Sequence, residues 1–312
     1  MDFKLLEDFV CLARLESFTA ASLERHITQS ALSRRIRSLE KWLGVDLINR
    51  GTKIFTLTPQ GRIFVPEAQL ILRRLHNARE MAGVLGAKGK YEITVAAQNS
   101  IAQTLFLDWA KQLEGQLDNI FIRLLSEKLS ACIGLLNRGG VNYLFCYARE
   151  SIPLPIDENR FKFMTIGKES LVPVTVPGAD QAPMHTLPGS AEKPLPFVAY
   201  DRDSVFGQAV DQLIQNNSDN CFLSRRYENP YSHTLRSLVN EQLGLAWLPK
   251  TSIISDLESG NLCRAGNQQW DIEFDIRLYY HHEATSSQEL AVLETSQAIA
   301  SRLSNSQESG NR

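Results

Sequence analysis

At 312 residues, 43% hydrophobic and 22% charged, the chain is ordinary for a soluble globular protein and long enough for two or three cores. Its net charge of −2 is unevenly spread. Residues 1–90 hold 15 Lys+Arg against 9 Asp+Glu and the remainder 18 against 26, a basic head on an acidic body that excludes nucleic-acid coating along the whole length. No apolar run approaches the ~18 residues of a membrane span, and MDFKLLEDFV is too acidic for a signal peptide. Five widely spaced cysteines (Cys11, Cys132, Cys146, Cys221, Cys263) make neither a CxxC metal site nor a disulfide framework, so a cytoplasmic, reduced protein is expected.

Phe3–Leu15 carries apolar residues at helical spacing, and Ser17 caps a short second helix through Arg25. In Thr28–Gly44, Leu32, Ile36, Leu39 and Leu43 form one stripe, with Thr28 as N-cap and Gly44 as stop. The remaining faces carry Gln29, Ser30, Ser33, Arg34, Arg35, Arg37 and Lys41. Two short helices joined by a tight turn, the second bearing Gln, Ser and Arg near its start, suit reading of a DNA major groove. VDLINRGTKIFTL then reads as a short hairpin, a wing with Arg50 and Lys53 near its tip for phosphate contact. Thr58-Pro59 starts a helix running to about Leu85, with an apolar seam through Ala68, Leu72, Leu75 and Ala82 that calls for a second chain.

From Tyr91 strands and helices alternate, which indicates a parallel sheet with crossovers. The expected strands are 91–97, 119–125, 141–148, 161–167, 171–177, 195–201, 221–228, 243–249 and 271–281. The expected helices are Ile101–Gln116, Leu129–Asn137, Ser204–Asn216, Tyr231–Leu243, Thr251–Leu257 and Ser287–Leu303, before a disordered tail at 305–312. Ligands of open α/β sheets sit at the carboxyl ends of strands. That rule selects Gln98, Asn99, Ser100, Ser126, Tyr147, Tyr200, Arg202, Ser204 and Asn229 as effector-binding candidates. Ser100 is expected to cap the helix at Ile101, whose positive end favours an anion that Arg202 meets from the other side.

No Gly-rich phosphate loop, HExxH or GxSxG occurs, so no enzyme activity, cofactor or metal is expected. His281-His282-Glu283 is set aside as a metal site because neighbours on a strand point to opposite faces.

SFTAAS from Ser17, TQSALSRRIRSLEKWLGVDLINR from Thr28 and LTPQG from Leu57 together resemble the winged helix-turn-helix of LysR-type transcriptional regulators, over about residues 3–65. LGLAWLPKTSI (243–253) resembles the effector domain of the same family, although the family usually has Asp near Asn142. The resemblance implies an α+β multidomain protein. A winged helix-turn-helix (1–58) and a linker and dimerisation helix (59–89) would precede a two-lobed, periplasmic-binding-protein-like effector domain (90–304). Lobe I would hold about 90–160 and 268–304 and lobe II about 161–267, with crossings near 149–160 and 266–270. It implies that Gln29, Ser30, Ser33 and Arg34, flanked by Thr28 and Arg37, face bases or their sugar-phosphate edges, while Arg50 and Lys53 touch backbone. Its expected partners are double-stranded promoter DNA, a small effector, anionic or an oxidant, and further copies of the chain in a homodimer or homotetramer, with no membrane. Localisation would be cytoplasmic and nucleoid-associated. Within the family the chain is most similar to the branch that includes the hypochlorite-responsive regulator, which implies oxidant sensing through Cys or Met oxidation as the alternative signal.

Overall fold

The computed structural model describes residues 2–49, 55–84, 91–117, 119–217, 221–283 and 287–309. Two compact units divide the chain: residues 1–90 with 135–140, and the rest of 91–312.

In the first unit the helices are α1 (Phe3–Leu15), α2 (Phe18–Glu24), α3 (Gln29–Leu43) and α4 (Pro59–Val84). Each of the first three is started by a side chain that accepts a backbone N–H: Asp2 from Lys4, Ser17 from Ala20 and Thr28 from Ala31. Gly44 ends α3 at φ 75°, a conformation in which a Cβ is strained. Leu6, Phe9, Leu12, Ala21, Leu32, Ile36 and Leu39 are fully buried and form one core. Two buried carboxylates tie its pieces together. Asp8 accepts from Arg25 Nε at 2.7 Å and Arg35 Nη1 at 2.9 Å, joining α1 to α2 and α3. Glu40 Oε1 accepts from the Leu47 and Ile48 amides at 2.9 and 3.3 Å, which fixes the end of α3 to the start of the wing. The wing's base is paired, Ile48 to Leu57 and Asn49 N to Thr56 O at 2.9 Å; its tip, including Arg50 and Lys53, lies outside the described residues. Gly61 lets α4 lie against the wing, because a Cβ there would stand 2.0 Å from the Leu47 carbonyl oxygen.

The second unit contains β1 (Tyr91–Gln98), α5 (Asn99–Gln103), α6 (Leu105–Gln116), β2 (Ile120–Glu127), α7 (Leu129–Asn137, apart from its last three residues, which group with the first unit), β3 (Tyr143–Ala148), β4 (Phe161–Thr175), β5 (Leu195–Ala199), α8 (Val205–Asn216), β6 (Leu223–Glu228), α9 (Ser232–Asn240), β7 (Ala246–Pro249), α10 (Ile254–Ser259), β8 (Cys263–Arg264), β9 (Ile272–His281) and α11 (Ser287–Ser309). The main sheet runs β2-β1-β3-β9-β4-β7 with β8 on β4. β1 is parallel to β2 and β3, whereas β9 is antiparallel to β3 and β4. β5 and β6 form a parallel pair reached from β7 through Phe197 and Leu245. Asn142 stands where the family usually has Asp and extends the β1–β3 ladder, its side-chain oxygen accepting from the Thr94 amide at 2.8 Å.

The strands expected at 161–167 and 171–177 are one strand, β4, with a register shift between Thr165 and Gly167. The lobes are joined within β4 and β9, rather than at 149–160 and 266–270. The start of β4 pairs with the end of β9, which also pairs β3, whereas Leu171–Val174 pair β7. The helix expected at Ile101–Gln116 is broken at Thr104 (φ −124°, ψ −102°) into α5 and α6. That expected at Thr251–Leu257 is a 3₁₀ turn at Lys250–Ser252 followed by α10. The tail from 305, expected to be disordered, continues α11 to Ser309, since nothing before Gly310 forbids helix. His281 and His282 do not diverge: β9 ends at His281, and the two rings tilt together at 5.0 Å. Among the described residues no group of three His, Cys, Asp or Glu is placed to hold a metal, and no helix is long and apolar enough to cross a membrane.

Candidate functional site

α3 is amphipathic, and its outer face sorts its cations. Leu32, Ile36 and Leu39 are spent on the core, Arg35 on Asp8, and Arg25 of the preceding turn on Asp8 and Glu7. Arg34 and Arg37 are exposed, and their guanidinium groups make no ion pair or side-chain hydrogen bond among the described residues. Thr28, Gln29 and Ser30 are exposed at the start of the helix and Ser33 is half-buried. Gln29 Nε2 donates to Thr19 Oγ1 at 2.6 Å and the Thr28 and Ser30 hydroxyls are 3.1 Å apart, so this edge is held in place before any ligand arrives. Two uncommitted cations beside preorganised hydroxyl and amide groups can meet phosphate and base edges together.

The seam on α4 divides. Ala68 is fully buried in the first unit's own core, with Phe64, Val65 and Leu72 packed against that core. Ala68 is therefore not available to a second chain, contrary to expectation: helical spacing alone does not tell a core-facing position from an outward one. Leu75 is half-buried and outside that core, and the side chain of Ala82 lies outside the described residues.

In the second unit a cavity of about 410 Å³ opens where β1, β2, β5 and β6 end. Gln98, Asn99, Ser100 and Ser204 are on its wall. Ser126, Tyr147, Tyr200, Arg202 and Asn229 are not. Tyr147 lies behind the wall, its ring 4.7 Å from that of Phe206. The Tyr200 hydroxyl donates to Ser232 Oγ at 2.9 Å. Burial pushes both phenols up, so they are neutral hydroxyls. Asn229 serves its turn by accepting from the Tyr231 amide at 2.9 Å. Arg202 is exposed, and the N-cap of α5 is Gln98, so the two groups expected to hold an anion, a Ser100 cap and Arg202 opposite it, are not assembled. Gln98 instead fixes the floor, its Oε1 accepting from the Tyr147 amide at 2.7 Å. Ser130, Asp203, Tyr231 and Ser232, also on the wall, lie a few residues beyond the selected strand ends, at the starts of α7, α8 and α9, where the strand-end rule does not reach. The wall contributed by 152–155 follows no strand end and has no signal in the sequence.

Burial raises all five thiols. Cys132 is pushed up to about 11, and Cys11, Cys146, Cys221 and Cys263 also rise above the ordinary thiol value. Oxidation proceeds through thiolate, and none of these sites favours it.

A helix-turn-helix with an uncommitted basic face, followed by a two-lobed α/β unit with a cavity at its strand ends, defines a DNA-binding regulator that receives a small-molecule signal. The family described as bacterial regulatory helix-turn-helix protein, lysR family, matches residues 3–62, and the LysR substrate binding domain matches residues 87–298. The chain belongs to the LysR family of transcriptional regulators, whose members bind promoter DNA and small-molecule effectors. It is 26% identical over 265 residues to the HTH-type transcriptional regulator YjiE of Escherichia coli (strain K12), covering 84% of this chain and 83% of that one. Full-length HypT from Salmonella typhimurium, a hypochlorite-specific LysR-type regulator, matches with a TM-score of 0.59 and 23% identity over 96% of this chain and 99% of its own. DarR of Vibrio fischeri, solved in complex with DNA, matches with a TM-score of 0.55 and 24% identity over 95% and 98% of the two chains. At these identities the two structures bear on the fold alone.

Proposed function

We propose that α3 reads promoter sequence through Gln29, Ser30, Ser33 and Arg34, that Thr28, Arg37, Arg50 and Lys53 meet the sugar-phosphate backbone, and that a small polar effector in the cavity modulates this binding. In this reading residues 1–58 bind DNA, 59–89 join protomers and 90–304 receive the effector. The observation that carries it is the division of labour on α3. Arg25 and Arg35 are consumed by buried or half-buried carboxylates, whereas Arg34 and Arg37 are left to solvent beside the ordered start of the helix. Homodimers or homotetramers would form through the part of α4 beyond Ala68 and match two-fold related half-sites. The oxidant alternative finds no support at the cysteines, whose burial keeps them protonated. Selection of bound sequences from random DNA by the full-length protein, followed by footprinting, tests the proposal: a two-fold related motif is expected, and recovery of unselected DNA contradicts it.

A further inference from the structure

Among the described residues, Glu127, Lys128, Asp201 and Asp203 are the charged residues on the wall of the cavity. Lys128 is already matched, its Nζ 3.2 Å from Asp201 Oδ2. Glu127 and Asp203 flank that pair in sequence, one on each lobe, and their carboxylates make no ion pair or side-chain hydrogen bond among the described residues. Among the described residues no arginine is on the wall, and the other polar side chains there are neutral amides and hydroxyls, together with the Tyr231 phenol. Several of these are occupied: Ser204 Oγ caps α8, Gln98 Oε1 holds the Tyr147 amide and Asn99 Oδ1 accepts from Gln103. A purely anionic ligand would therefore enter against two unmatched carboxylates, with the Lys128 ammonium already engaged by Asp201. A ligand bearing an ammonium or guanidinium group would satisfy both.

We propose that the effector is a small organic cation or zwitterion whose amine is received by Glu127 and Asp203. The inference rests on the reading of this cavity as the effector site. Where the molecule also carries a carboxylate, the start of α9 receives it, since that nine-residue helix begins on the wall at Tyr231–Ser232 without a side-chain cap. The apolar part of the wall, Ile133, Leu154 and Phe206 among it, suits a short aliphatic chain between the two ends.

The test uses full-length protein and three probes that share a five-carbon chain and differ in their end groups: glutarate, δ-aminovalerate and cadaverine. Isothermal titration at fixed ionic strength and millimolar probe should show binding by δ-aminovalerate or cadaverine and none by glutarate. The double substitution Glu127→Gln with Asp203→Asn should weaken amine binding about tenfold, each carboxylate being partly exposed, while circular dichroism and DNA binding stay unchanged. Glutarate binding more tightly than both amines, failure of both amines to bind, or amine binding indifferent to the double substitution each overturns the inference. Leu154→Trp, which fills the cavity from a half-exposed loop position, separates this failure from failure of the cavity reading. If glutarate binds and Leu154→Trp blocks it, the cavity stands and the cationic preference falls. If probe binding survives Leu154→Trp, the cavity reading itself fails.

Discussion

Lys128 and Asp201 meet on the wall of the cavity, Nζ to Oδ2 at 3.2 Å, and so link the end of β2 to the loop after β5. Both side chains keep substantial solvent contact, so the pair is worth no more than about 1 kcal/mol and weakens with salt. Lys128→Met is therefore expected to lower the unfolding free energy by at most that amount, with the difference from wild type vanishing at high salt. Denaturant titration at two salt concentrations measures it, and a loss above about 2 kcal/mol would show that the pair does more than bridge.

Asp8 stands in the opposite situation. It is fully buried and binds Arg25 and Arg35 at once. Asp8→Ala removes the shared acceptor from α1, α2 and α3 together and should destabilise the first unit by about 2–4 kcal/mol, because the two arginines can partly recover water. Calorimetry that detects a separate transition for this unit reports the loss.

Glu169 is 3% exposed on β4, accepting from the Thr251 and Ser170 amides at 3.2 and 3.0 Å and from the Thr251 hydroxyl. Burial raises its pKa, against the opposing effect of these hydrogen bonds. A carboxyl raised in the folded state contributes stability that is present below its ordinary value and lost as pH rises through its folded one. The stability of wild type relative to Glu169→Gln should accordingly fall as pH rises from the ordinary glutamate range. Tryptophan fluorescence follows it, since Trp109, Trp247 and Trp270 are buried in this unit. A difference that grew with pH would mean the hydrogen bonds, not burial, dominate.

Ala68 and Leu75 share one helical seam but sit in different surroundings. Ala68→Leu is expected to overpack the first unit's core at a cost of about 1–3 kcal/mol and to leave assembly unchanged at temperatures where the unit is folded. Leu75→Asp is expected to leave folding nearly intact and to produce smaller species in sedimentation. If both variants lowered stability without changing sedimentation, α4 would pack only within its own chain.

The first unit was largely legible in the sequence because its helices announce themselves. Asp2 was missed, but Ser17 and Thr28 are caps at the ends of regular apolar spacing, and Gly44 is a stop. What spacing does not reveal is which partner a polar residue has. Nothing in RRIR distinguishes Arg35, held by Asp8 twenty-seven residues earlier, from Arg34, which is free of such partners. The cavity was legible as the set of strand ends and illegible in detail. Tyr147 and Arg202 end up behind or off the wall, and Leu154 reaches it from a loop, because side-chain direction at a strand end depends on packing. The long strand β4 reads as two because Gly167 and the polar Lys168-Glu169-Ser170 separate its apolar stretches; the register shift beside Gly167 absorbs the interruption.

Arg34 decides whether the exposed face of α3 reads sequence. Binding of wild type, Arg34→Ala and Lys53→Ala to the selected motif and to random DNA should be measured across a range of salt concentrations. Arg34→Ala is expected to lose about 1–3 kcal/mol on the motif and much less on random DNA. Lys53→Ala is expected to weaken both alike and to reduce the salt slope by about one. An Arg34→Ala protein weakened equally on both DNAs would mean that α3 does not read sequence through Arg34.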